Sequence, residues 1–447
     1  MFIDRELKNA LIKVAIPVAL QNLITSLLNM IDTIMIGSLG DRAVAAVGLA
    51  NQWFFIFTLV SFGITSGSTI YVAQFFGKKD YDSLQRPVAY ALFLCSAVGI
   101  IFASLAIFTP QLVMGFFTND LETIALGAKY LKIAGITYLM MSISLPLATA
   151  MRSTEVALLP LIVTGAALLI NTFLNYCLIN GNLGFPAFGV KGAAIATATA
   201  RIFETIIILF VVIKGYTKIK PRLHHFLPKK DFMVQYFRTI APVVANETMW
   251  GLGISMYNAI FGRMDNSIVA ANQVARNLEQ IVTGLCIGVA SAGAVIIGKK
   301  IGEKNKEMAY AYSKKFSLLS ALLGLVLGIF MVALSPLYLK LYSDISPDAK
   351  LHATQLIFVF GFFMLFKTFN YMGIVGILRS GGDTTFCLVL DGCSVWIIGV
   401  LSVYLSALVF HSPFWIVALC LVSEEMVKSI GVLWRFLSKK WLNDLVN

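Results

Sequence analysis

The chain has 447 residues, of which 58% are apolar and 13% charged, and its mean hydropathy is +0.82. A soluble domain is about 25% charged, so this chain lacks the charge to coat a water-facing surface, which excludes a soluble globular protein, a disordered chain and any sizeable extramembrane domain. The net charge of +12 does not point to nucleic acid, because the basic residues are spread through loops and not gathered on one face with aromatics between them.

Taken in chain order, apolar segments fall near 11–37, 45–76, 88–109, 124–149, 156–180, 190–213, 236–262, 268–298, 315–338, 351–376, 385–410 and 414–437. Each is long enough for a membrane-spanning helix, which needs about 20 residues, so the expected fold is an all-α polytopic membrane protein of twelve transmembrane helices. The first run is too long for a signal-peptide core and lacks a small-residue cleavage site, so it is expected to remain as the first helix. Cysteines 95, 177, 286, 387, 393 and 420 lie in or beside apolar runs without CxxC spacing, and free thiols are expected. Of the basic residues in alternate loops, 24 fall on one side and 7 on the other. Cytoplasmic loops carry the excess of Lys and Arg, which places both termini in the cytoplasm of a multi-pass protein of the cell membrane.

The longest connection, Lys214 to Arg238, is basic and lies in mid-chain. Sliding the second half against the first at an offset of 225 aligns Pro17 with Pro242, Gly37 with Gly262, Gly63 with Gly288, Gly77 with Gly302 and Lys79 with Lys304, without a gap. Arg152-Ser153 matches Arg379-Ser380 at offset 227. The chain is therefore a duplicated six-helix unit: an N-terminal lobe at 1–213, a basic cytoplasmic linker at 214–238 and a C-terminal lobe at 239–447. Six is even, so the two lobes enter the membrane in the same direction, related by a pseudo-two-fold axis along the membrane normal. This is an architecture of secondary transporters, with a site near the mid-membrane.

An ionisable side chain at the bilayer centre costs about 2.5 to 3.5 kcal/mol on insertion scales, so each needs a partner, a wet cavity or a function. The first helix carries Asn22, Thr25, Ser26, Asn29, Asp32 and Thr33 on one face. The seventh repeats the design with Glu247, Gly251, Ser255 and Asn258, next to Tyr257. Asn171 and Asn175 stand four apart in the fifth helix, Asp391, Ser394 and Ser402 share a face of the eleventh, and Gln273, Asn277 and Gln280 form a stripe on the eighth. Such amides can line a cavity or simply join helices. Asp391 reads either as a working carboxylate or as a solvated one near the cytoplasmic end. Arg201 with Glu204, Arg276 with Glu279 and Glu424 with Lys428 have the spacing of self-neutralising pairs. Lys367, near Asn370 in the tenth helix, has no partner in its own helix: it either snorkels or serves as counter-charge to Glu247 or Asp391.

A buried carboxylate that alternates between protonated or Na+-bound and free as a cleft turns from one side to the other converts an ion gradient into substrate movement. Glu247, Asp32 and Asp391 are the candidates, with the principal site in the second lobe, where most of the charge without a partner in its own helix lies. The supporting polar candidates are Asn29, Asn171, Asn175, Tyr257, Asn258, Gln273, Asn277, Lys367 and Asn370. All four histidines lie in loops or at helix ends, and no HExxH motif or phosphate-binding loop is present. No cofactor is expected, and transport is expected to draw on a gradient and not on bound ATP.

The stretches NMIDTIMIGSLG (29–40), PVVANETMW (242–250) followed by Gly262-Arg263-Met264, and GILRSGGDT (376–384) resemble the multidrug and toxic compound extrusion (MATE) family over essentially the whole chain. The resemblance implies export of organic, often cationic, compounds from the cytoplasm in exchange for Na+ or H+, with Glu247 binding the coupling cation, Na+ included, and Asp32 taking part in protonation. Where some members pair an Asn with an Asp in the fifth helix, this chain has Asn171 and Asn175. The partners implied are small organic substrates and membrane lipids, with no nucleic acid and a monomeric chain. The alternative within transport is a flippase for a lipid-linked substrate of the same superfamily. A membrane enzyme is disfavoured, since no catalytic pair or histidine set gathers, and a channel has no need of buried titratable groups in a duplicated frame.

Overall fold

The computed structural model describes residues 4–342 and 346–446, and within them the side chains of Asn29, Thr33, Asp41 and Asn266 lie outside the described part. The described residues form twelve long helices and no strand. These are α1 Arg5–Gly37, α2 Asp41–Lys78, α3 Gln85–Phe108, α4 Leu121–Ser153, α5 Leu158–Asn180, α6 Val190–Lys214, α7 Lys230–Phe261, α8 Asn266–Gly302, α9 Lys306–Lys340, α10 Pro347–Gly381, α11 Thr384–Val409 and α12 Phe414–Leu437. Ten are long and apolar enough to cross a membrane by length and composition. The other two, α7 and α12, are the ones that carry polar cargo: Asn246, Glu247 and Thr248 in α7, and Glu424, Glu425 and Lys428 in α12.

The helix starts follow from local chemistry. The first backbone N–H groups of a helix have no partner within it, and a short polar side chain supplies one. Asp4 accepts from Leu7 N–H at 2.9 Å, Asp120 from Thr123 at 3.1 Å, Asp265 from Ser267 at 2.6 Å and Asn305 from Met308 at 3.0 Å. Gly181 and Gly215 end α5 and α6 in the left-handed conformation that glycine adopts without a Cβ penalty. The mid-chain connection is shorter than the apolar pattern suggests. The polar opening of α7, from Lys230 to Arg238, is already helical.

Two compact units result. One comprises residues 20–72 and 80–236, the other the N-terminal residues to Ala19, residues 73–79 and residues from Phe237 on. The core of the first gathers Phe57, Met114, Leu131 and Tyr138 with the small residues Ala103, Ala134 and Ala194. The core of the second gathers Phe261, Met331, Leu356, Phe360 and Met364. Within it α9 meets α10 through small residues, and Ser320 and Thr368 each donate a hydroxyl to the other's carbonyl, at 2.9 and 3.0 Å. The last turn of α2 belongs to this unit and crosses the end of α8 at glycine: a Cβ at Gly77 would overlap the Lys299 carbonyl, and one at Gly302 the Gln74 carbonyl. At offset 225, 77 maps to 302 and 74 to 299, so this contact repeats itself through the duplication.

Candidate functional site

In the unit formed by 20–72 and 80–236, α1 and α5 bring Asp32 to Asn171 and Asn175. Asn175 donates its amide to Asp32 Oδ1 at 2.9 Å. The Asn171 amide satisfies both of its ends when its nitrogen faces the carboxylate; it then donates to Asp32 Oδ2 at 2.7 Å while its oxygen accepts from Thr197 N–H at 3.1 Å. Both asparagines are buried, and Asn175 Oδ1 has no hydrogen-bond donor. No basic group lies within 4.0 Å of Asp32 among the described residues. Arg201 is instead held by Glu204 at 2.7 Å, the i, i+3 pair that the spacing predicts. Asn29, the neighbouring candidate, has its side chain outside the described residues.

The same unit holds a second chain of polar groups that the sequence does not announce. Gln21 donates to Thr164 at 3.0 Å, Thr164 donates to Glu204 at 2.7 Å, and Arg152 donates to Gln21 at 3.0 Å.

In the other unit, among the described residues, Glu247, Glu279, Asp391 and Glu424 are each tied to a base. Glu247 meets Arg379 at 2.6 Å, with side chains 12% and 4% exposed, and Arg379 also donates to Asn246 at 2.6 Å. Glu279 lies 2.5 Å from Lys367 and 3.1 Å from Arg276. Lys428 lies 2.8 Å from Asp391 and 3.2 Å from Glu424, and Glu424 accepts a further bond from Tyr257 at 2.9 Å. Glu425 has no basic group within 4.0 Å among the described residues; it accepts from Asn370 at 2.7 Å. Glu279, Glu424 and Glu425 line one cavity of about 50 Å³ with Arg276, Lys367, Trp250, Tyr257, Phe360 and Phe363.

These contacts correct several expectations. Lys367 neither snorkels nor neutralises Glu247 or Asp391: α8 packs directly on α10, and Glu279 is the carboxylate that faces it. Asp391 is 8% exposed and paired, not solvated. Gln273 is exposed and bonds Asn277 of its own helix at 3.1 Å, and Asn258 is exposed and accepts from Asn272 at 3.0 Å, so neither stripe enters this cavity. Sequence reasoning passed over Glu279 as half of a structural pair and missed Arg152, Arg379, Gln21 and Asn246 as parts of buried networks. A signal for four of them lies in the repeat. Arg152 and Arg379 correspond at offset 227, Gln21 and Asn246 at 225, and each arginine bonds the amide of its own half. The difference is one position on: Glu247 neutralises Arg379, whereas its counterpart is Asn22.

Asp82, His224 and His225 form the one group of three potential metal ligands that lie close together among the described residues. His225 Nδ1 accepts Arg222 N–H at 2.9 Å, so in the neutral ring Nε2 carries the proton and donates it to Asp82, at 3.2 Å. That tautomer has no lone pair at Nε2 for a metal.

Twelve long helices, ten of them long and apolar enough to cross a membrane, joined by buried polar and charged networks mark a multi-pass membrane protein. The MatE family profile matches residues 17–177 and 243–433, and the chain belongs to that family, the one its motifs resemble. It is 25% identical over 440 residues to a probable multidrug resistance protein NorM of Thermotoga maritima, covering 98% of this chain and 93% of that one. It is 27% identical to the probable NorM of Rhizobium meliloti over 83% of this chain and 80% of that protein. Among solved structures, a MATE transporter in complex with MaL6 superposes with a TM-score of 0.85 at 20% identity, over 96% of both chains. A MOP superfamily transporter from Pyrococcus furiosus gives 0.86 at 20% identity, over 97% of this chain and 96% of that one.

Proposed function

We propose that this protein is a cation-coupled antiporter that exports organic, often cationic, drugs or metabolites from the cytoplasm by alternating access, driven by Na+ or H+. In this reading residues 1–213 and 239–447 are the two lobes, 214–238 joins them, both termini are cytoplasmic, and the chain works as a monomer. The relatives named as probable multidrug resistance proteins support the substrate class.

The observation that carries the coupling role is the cradle of Asp32. Its carboxylate is held by amide donors alone, beside a buried amide oxygen without a donor. A half-buried carboxylate with no basic group within 4.0 Å among the described residues gains from a proton or a small cation, and the adjacent amide oxygen is a ready further ligand. Glu247, to which the family resemblance assigns the coupling cation, is already paired with Arg379. For Glu247 to take a cation, Arg379 has to move away. Asp32 is therefore the first coupling group in this proposal, and Glu247 and Asp391 act only if their ion pairs open.

Efflux of a fluorescent organic cation from proteoliposomes, under an imposed Na+ gradient and separately a pH gradient, tests the proposal. One gradient should drive efflux in the wild type, and Asp32→Asn should abolish it while the protein stays folded. Full gradient-driven efflux in Asp32→Asn would remove Asp32 from the mechanism. No wild-type flux under either gradient would overturn antiport of such substrates.

A further inference from the structure

We propose that the connection between α6 and α7 is a preformed docking surface for anionic lipid headgroups of the leaflet on its side of the membrane. The surface combines charge and exposed apolar side chains in a way that a purely solvated loop does not require. From Lys214 to Lys230 the chain carries Lys214, Lys218, Lys220, Arg222, Lys229 and Lys230 and no acid. All six are exposed, and none makes an ion pair within 4.0 Å among the described residues. Between them Leu223 is 89% exposed, Tyr216 71% and Leu227 65%. Large apolar groups held in water at these levels, among six cations with only the exposed Asp82 and Asp231 beside them, match an element that dips its apolar side chains to the headgroup boundary while its lysines meet lipid phosphate.

The connection is fixed in this shape by bonds on its opposite side. Ile219 and His225 are fully buried. The Gln85 amide donates to the Lys218 carbonyl at 2.8 Å and accepts Lys220 N–H at 2.7 Å. The Tyr90 hydroxyl accepts Lys229 N–H at 3.1 Å and donates to the Leu227 carbonyl at 3.3 Å. His225 is clamped between Arg222 N–H and Asp82. The backbone is thus anchored inward, and Tyr216, Leu223 and Leu227 are left outward. A surface already ordered loses little conformational freedom on binding. Its placement is constrained because α6 ends at Lys214 and α7 begins at Lys230, which keeps the connection close to the ends of two spanning helices. The charge selects the occupant: six exposed cations without an ion-pair partner among the described residues fit phosphate-bearing anionic lipid and not a zwitterionic surface.

The test places an environment-sensitive fluorophore at Leu223→Cys, in full-length protein with the more accessible thiols Cys393 and Cys420 replaced by Ser. The protein is reconstituted in phosphatidylcholine vesicles with or without phosphatidylglycerol. Blue-shifted emission, and quenching by a lipid carrying a nitroxide at its headgroup, are expected to be several-fold stronger with phosphatidylglycerol and to weaken as salt screens the charges. Lys220→Gln/Arg222→Gln/Lys229→Gln should remove the dependence on phosphatidylglycerol. Water-like emission in both compositions, or equal quenching in both, overturns the proposal. Neither readout depends on transport, so the result stands apart from the antiport assay.

Discussion

Glu279 offers the sharpest test of the buried charge network. Its side chain is 7% exposed and bridges two cations, Lys367 at 2.5 Å and Arg276 at 3.1 Å, whose own side chains are 25% and 26% exposed. Glu279→Gln keeps the shape but leaves two like charges facing a neutral amide. Removing one partner from a buried ion pair costs about 3–5 kcal/mol. The partial hydration of both cations puts this case near the lower end, at about 3 kcal/mol. Lys367→Met leaves Glu279 with Arg276 and should cost about 1.5–2 kcal/mol, the low end for loss of one hydrogen bond between charged groups when the cation is partly hydrated. Spacing along α8 alone argues that replacing Arg276 and Glu279 together restores stability. The structure argues otherwise, because that double replacement strands Lys367. Only the triple variant Arg276→Gln/Glu279→Leu/Lys367→Met should return to within about 1–2 kcal/mol of wild type, as apolar substitutes for buried ion triads do. Equilibrium unfolding of purified protein in mixed micelles, titrated with a denaturing detergent, measures each value. A Glu279→Gln cost below that of Lys367→Met, or a double variant more stable than the triple, would refute the triad.

Lys428 is shared by Asp391 and Glu424, so Lys428→Met should cost about 3–5 kcal/mol. Glu425→Gln, which has no ion-pair partner within 4.0 Å among the described residues and whose new amide oxygen still accepts from Asn370, should stay within about 1 kcal/mol by the same unfolding titration. At Gly192 a Cβ would overlap the Leu178 carbonyl, whereas at Gly165 it would meet open space. Gly192→Ala is therefore expected to destabilise by about 1–3 kcal/mol and Gly165→Ala not at all, as read from melting midpoints. The hydrogen bond from His225 holds the exposed Asp82 carboxyl below its ordinary value of 3.8. A depressed carboxyl contributes stability that is full above the unfolded value and lost as pH falls through the folded one. Proteolysis of the 215–229 connection should accordingly accelerate as pH falls below 3.8, and Asp82→Asn should remove that step of the acid dependence. A pH-independent cleavage rate in the wild type would argue against the clamp.

Much of this protein is written in one dimension. Helix positions follow from runs of apolar residues because a spanning helix satisfies its own backbone hydrogen bonds, so composition and length suffice to find it. The duplication is legible because the repeat is ungapped. The pairs Arg201 with Glu204, Arg276 with Glu279 and Glu424 with Lys428 are legible because 3.6 residues per turn fixes which side chains meet along one helix. Helix starts are less legible: the opening of α7 from Lys230 is polar, so its first turns have the composition of a linker.

The charges that cross from helix to helix obey no such period. Glu247 and Arg379 are 132 residues apart, Asn175 and Asp32 143, and Lys367 and Glu279 88. Which of several buried acids receives Lys367 depends on which helix faces α10 and on its rotation about its own axis. Both are set by how closely the helices pack, as at Gly376 of α10, where a Cβ would crowd the Ala290 carbonyl of α8. The sequence by itself determined that this chain spans a membrane many times, that it is built twice from one unit, and that a few carboxylates lie where charge is costly. Only the tertiary structure decided that Glu247 and Asp391 are neutralised by arginine and lysine while Asp32 is held by amides alone, because an ion pair between helices is a property of their packing and not of their spacing along the chain.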